Sequence, residues 1–147
     1  MPTDLWNFAL ACYARPGVEA LCLRLQEGGA DVCLLLCALW LERRRVACDG
    51  QRLDQLRAIA EPWQRQVVQP LRELRRGLQT PAQSDPQLAR RREQIKALEL
   101  EAEQELLRRL EGASQKWQAT DDAVAWLEQL VDDRDARELL RAAANQT

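Results

Sequence analysis

Ten consecutive apolar residues, Val32 through Leu41, stand between Asp31 and the charged run Glu42-Arg43-Arg44-Arg45. No other stretch constrains the fold as much. A helix that is apolar all round has to be covered all round. Ten residues are too few to span a bilayer, which needs about 20. A buried strand is the competing reading for so short a run. Helix is favoured because Leu, Ala and Cys dominate and Val32 is the only β-branched residue. Asp31 is a good N-cap, and the arginines beyond Leu41 suit the negative end of the helix dipole. The sequence therefore predicts a buried central helix at about 31–45, with other helices packed around it.

The flanking segments read as those helices. Leu5, Phe8, Ala9 and Cys12 recur at i, i+3, i+4, i+7 in a helix capped by Thr3 or Asp4 and running to about Arg15. Trp6, Leu10 and Tyr13 form a second apolar stripe on it. Pro16-Gly17 ends this helix, with Pro16 placed to start the next at about 17–27, and Gly28-Gly29 closes that one. After a turn at Val46–Gly50, the apolar positions Leu53, Leu56, Ala60, Trp63, Val67, Leu71, Leu74 and Leu78 step by three or four. Pro62 and Pro70 interrupt them, and an interior proline costs about 3 kcal/mol. A break is expected near Glu61 or Pro62 and a kink or second break at Pro70.

Gln79 to Asp85 is the clearest linker. Asp85-Pro86 then starts a long amphipathic helix, about 86–111, with Ile95, Leu98, Ala102, Leu106 and Leu110 as its stripe and Gly112 as its end. Its arginines come first and its glutamates later, the wrong order for the helix dipole. Antiparallel pairing with a second copy would set basic start against acidic middle. A hairpin within the chain, against 61–79, is the alternative. Further on, Thr120 is expected to cap a helix with Val124, Leu127 and Val131 inward. A last helix at about 134–144 carries Leu139 and Leu140, and Asn145 to Thr147 should fray. The expected class is all-α, a bundle of about six to eight helices. Residues 1–80 form a helical core and 81–147 an extension packed on it, in one structural domain.

Several of these residues carry a likeness. Leu5-Trp6, Phe8-Ala9-Leu10, Tyr13, Pro16-Gly17-Val18, Cys22-Leu23, Leu25-Gln26 and Asp31-Val32 are followed by Leu34 to Leu36 and Leu39-Trp40-Leu41. With Trp63, Val67-Val68, Pro70-Leu71-Arg72, Arg75-Arg76 and Leu78, they resemble a small proteobacterial family catalogued as a domain of unknown function. The likeness spans about residues 4–80. It implies a bacterial cytoplasmic protein and supplies no activity, cofactor or catalytic residue. No signal peptide is expected from the first residues.

Composition narrows the chemistry. The chain has no histidine and only two serines, Ser84 and Ser114. The usual base, metal ligand and nucleophile pairings are missing, and there is no glycine-rich phosphate loop. Five cysteines lie in the first third. Cys33 and Cys37 share a helix face at a spacing that could supply two zinc ligands, but buried reduced thiols are the plainer reading. Cys48, in a turn beside Asp49, is the one redox candidate, and Asp49 would raise its pKa. No catalytic, metal-binding or cofactor-binding residue is assigned, and no cofactor is expected.

Two functions remain. The first is a non-enzymatic protein-interaction module with an unidentified protein partner or a homodimer, using Leu74, Leu78, Leu98 and Leu106. The alternative is an RNA- or DNA-associated protein. Arg72, Arg75, Arg76, Arg90, Arg91 and Arg92 would form its basic surface with Arg43 to Arg45, and Trp63 would stack on a base. Residues 51–97 hold ten basic and five acidic side chains. Against that reading, the calculated pI is about 5.3. No membrane partner is expected.

Overall fold

The central apolar run is a helix, and it is covered on every side. In the computed structural model, which describes residues 4–122 and 124–147, seven α-helices are formed. They are α1 (Asp4–Tyr13), α2 (Val18–Glu27), α3 (Val32–Arg43), α4 (Gly50–Trp63), α5 (Gln69–Gly77), α6 (Pro86–Ser114) and α7 (Arg134–Asn145). The Asp31 carboxylate accepts the Leu34 N–H at 3.1 Å and caps α3. All ten residues from Val32 to Leu41 are buried, beneath α1, α2, α4, α6 and α7. The core cluster runs from Leu5 to Ala144. The chain is all-α, a bundle around a buried central helix. No helix among the described residues is long and apolar enough to cross a membrane.

The first two helices follow the spacing argument. Leu5, Phe8, Ala9 and Cys12 are buried, and the Trp40 indole donates to Asp4 at 2.8 Å. Pro16 stays in the turn instead of opening α2. Gly17, at φ 83°, precedes the helix in the left-handed conformation that glycine tolerates best.

The prolines do not break the next segment. Helical backbone continues from Gly50 to Gly77, and the turn from Gln64 to Val68 widens to π geometry, with Gln69 N–H donating to Gln64 C=O. This corrects the expected break at Pro62. A proline removes one N–H and crowds the preceding turn, and a widened turn absorbs such a defect without ending the helix. The wide turn also changes which side faces in. Buried positions run Leu53, Leu56, Ala60, Gln64, Val68, so Trp63 and Val67 are only half-buried and α5 has no fully buried residue.

Asp85 caps α6 by accepting the Gln87 and Leu88 N–H groups. The helix is 29 residues long and continues through Gly112, contrary to the expected stop. It packs against α5, α4, α3 and α1, so α5 and α6 form a hairpin within the chain. The helix expected after Thr120 does not form. Thr120 Oγ1 accepts the Asp122 N–H in a local turn, while the Thr120 N–H donates to Arg45 C=O at 2.7 Å. Backbone groups here serve the turn after α3, and among the described residues a 3₁₀ turn follows at Leu127–Gln129. The inward positions still hold: Leu127 and Val131 are buried and Val124 is half-buried. Trp126 is fully buried, donates to Val46 C=O at 2.7 Å and stacks on Trp117.

Asp133 caps α7, which buries Leu140 and leaves Leu139 exposed. The tail is tied down where fraying was expected: Thr147 Oγ1 donates to Ala143 C=O, and Gln146 C=O accepts from Arg15.

Candidate interaction groove

The helices enclose a groove of about 390 Å³ between α1, α2 and α3 on one side and α5–α6 on the other. Its apolar part comes from Trp6 and Leu10 of α1, Leu23 of α2, Leu36 of α3, and Leu100 and Leu107 of α6. α1, α2 and α6 each turn their main stripe to the core and also present a leucine to the groove. Trp6, Leu10 and Tyr13 are the second stripe on α1. Leu10, Leu23 and Leu100 are 50%, 45% and 54% exposed, so three helices contribute solvent-facing leucines to one depression.

The polar part is built on two glutamates one turn apart. Glu99 is buried and held by Arg72 at 3.1 Å and Arg75 at 2.5 Å. Arg92 donates to Arg75 C=O and steadies that clamp. The pair raises the Arg75 pKa, chiefly through its hydrogen bond to Glu99. Glu103 is different. It is half-buried, lines the groove, and its carboxylate has no hydrogen bond or ion pair among the described residues. Burial, then the charge of Glu99, pushes its pKa up to about 7. Tyr13 beside it is pushed up to about 12, again mainly by burial.

A second, more polar hollow of about 370 Å³ adjoins the groove and shares Arg72 with it. Gln64, presented by the wide turn, donates to Asp31 there at 2.9 Å. Burial raises the Asp31 pKa, opposed by hydrogen bonds from Leu34 and Gln64.

The thiols are passive. Cys12, Cys22, Cys33 and Cys37 are buried and unpaired. Burial raises all four pKa values, those of Cys22 and Cys37 to about 12. Cys48 is also raised, by burial and then Asp49. Among the described residues no group of three or more His, Cys, Asp and Glu side chains could hold a metal ion.

The sequence-derived candidates scatter. Leu74 and Leu98 are each 51% exposed but lie outside the groove, and Leu78 is half-buried. Leu106 is completely buried and is core, a correction that follows from the packing of that face of α6 into the main hydrophobic cluster. Of the arginines, Arg72, Arg75 and Arg92 are engaged as described, while Arg76, Arg90 and Arg91 are exposed. Arg43, Arg44 and Arg45 donate to the carbonyls of Ala144, Gln115 and Asp122. Trp63 donates to Ala102 C=O at 2.8 Å, and Arg109 lies 4.1 Å from its ring centroid, so this ring face is already covered.

A family model described as protein of unknown function (DUF2390) matches residues 4–110. The chain belongs to this family. The match extends the likeness read from residues 4–80 through most of α6. Every residue lining the groove falls inside the DUF2390 region. Neither the curated proteins nor the solved structures contain a match.

Proposed function

We propose that this DUF2390 chain is a non-enzymatic helical protein-interaction module, an adaptor or regulator, whose contact surface is the groove between α1, α2 and α6. One observation carries the reading: Leu10, Leu23 and Leu100 are each about half exposed and surround the same depression. A single exposed leucine is ordinary on a protein surface. Three from three helices around one concavity are the pattern of a docking site, an apolar trough with charged rims. The surrounding chemistry supports binding over catalysis. The groove thiols Cys22 and Cys33 are held protonated, and Ser114 is buried and donates to Leu110 C=O. The arginine-surface alternative has less to draw on, since Arg72 and Arg75 already neutralise Glu99.

A photoreactive amino acid at Leu100 tests this in cells of the source organism. Intermolecular adducts are expected from Leu100 and none from exposed Glu73 on α5. A chain that forms no intermolecular adduct from Leu100 is not acting through this groove.

A further inference from the structure

We propose that a second copy of this chain covers the groove, with the two α6 helices antiparallel about a twofold axis beside Leu100 and Lys96 of each copy paired with Glu103 of the other. This rests on the groove being a docking surface and names its partner. Lys96, Leu100, Glu103 and Leu107 all line the groove from α6. Their spacing of four, three and four residues keeps them on one helix face. Lys96 lies four residues before Leu100 and Glu103 three after it. At a rise of about 1.5 Å per residue these offsets are about 6 and 4.5 Å. A twofold axis at Leu100 therefore brings each lysine opposite the partner's glutamate and repeats the contact twice, as an isologous interface requires.

Both groups are available for that contact. Glu103 has no cation of its own among the described residues, although Arg72 and Arg75 stand nearby on Glu99. Lys96 has only an exposed pair with Glu93 on its own helix, at 3.2 Å, and such pairs are weak and easily exchanged. Leu10, Leu23 and Leu100 supply an exposed apolar rim beside these charges.

Sedimentation equilibrium over a concentration series, at low salt and with circular dichroism on every sample, tests the arrangement in the full chain. The wild type should dimerise. K96E and E103K should each weaken the dimer at least about tenfold, K96E/E103K should recover most of that loss, and L100D should be monomeric with unchanged helicity. Should E103K fail to fold, E103Q reads the same contact and should also weaken the dimer. A monomer at all concentrations overturns the proposal. So does a dimer indifferent to L100D and to both charge changes, or a double variant no tighter than either single one. A monomer that still forms adducts from Leu100 to another protein overturns the self-pairing and leaves the interaction reading standing. The absence of any adduct from Leu100 removes that reading too.

Discussion

Helices α3 and α6 are opposite solutions to the same packing problem. α3 is 12 residues long and buries Val32 to Leu41 without a gap. α6 is 29 residues long and buries Glu99, Ala102, Leu106, Leu107, Leu110 and Ser114. The whole circumference of α3 is committed to the fold. α6 gives one stripe to the fold and leaves neighbouring faces open, and one of those holds Glu103, whose carboxylate has no partner among the described residues. A change in α3 should therefore read as stability, whereas a change on the groove face of α6 should read as association.

The largest expected effect is in the core. Leu39→Ala removes a fully surrounded side chain and should cost about 3–5 kcal/mol in urea unfolding, while Leu100→Ala should stay within about 0.5 kcal/mol. Equal costs would erase the contrast between the two helices. Next, Glu99→Gln leaves Arg72 and Arg75 without their counter-charge. Breaking a buried pair typically costs about 3–5 kcal/mol. Arg75 keeps 23% of its side chain in water, so about 2–3 kcal/mol is expected here.

Glu103 supplies a pH test. Its folded pKa of about 7 lies above its ordinary value of 4.5. The folded monomer therefore binds this proton more tightly than the unfolded chain does, and its stability falls as pH rises from about 4.5 to 7. Glu103→Gln should flatten that slope and stabilise the monomer at pH 8 by about 1 kcal/mol, discounted for partial exposure. Dimerisation should respond in the opposite sense. A partner's lysine favours the ionised carboxylate, so association should tighten between pH 6 and 8 by up to about tenfold per Glu103. The groups facing Glu103 include Glu99 on its own helix, Tyr13 from α1, Asp31 and Cys33 from the start of α3, and Arg72 and Arg75 from α5. Tyr13 at about 12 lies outside that window and Glu103 at about 7 lies inside it. The smallest effects should come from Leu74→Asp and Leu98→Asp, which lie off the groove and should change neither stability nor the dimer constant by more than about 0.5 kcal/mol. Loss of the dimer in either would move the interface to the outer face of the hairpin.

Much of the fold could be read from residue spacing alone. Asp31, Asp85 and Asp133 all cap the helices that follow them, and the core face of α1 was visible in its period. The groove was harder to read because its leucines are individually unremarkable. The second stripe of α1, Trp6-Leu10-Tyr13, was the usable signal. Glu99 was hidden among Glu101, Glu103 and Glu105. Only its position in the series Ile95, Glu99, Ala102, Leu106 separates it from solvent-facing neighbours. The segment after Thr120 misled because its side chain closes a local turn, and its backbone bonds to residues far away in sequence.

The wide turn at Gln64–Val68 also acts as a one-residue offset between two halves of a single rod. Winding these five residues as ordinary α-helix, with none removed, would rotate everything downstream by about 100°. Arg72 and Arg75 would swing off Glu99, and other residues of α5 would take their place against α6. The position of the Glu99 clamp, and with it one wall of the groove, therefore depends on the wide turn taking up one extra residue between Ala60 and Arg72.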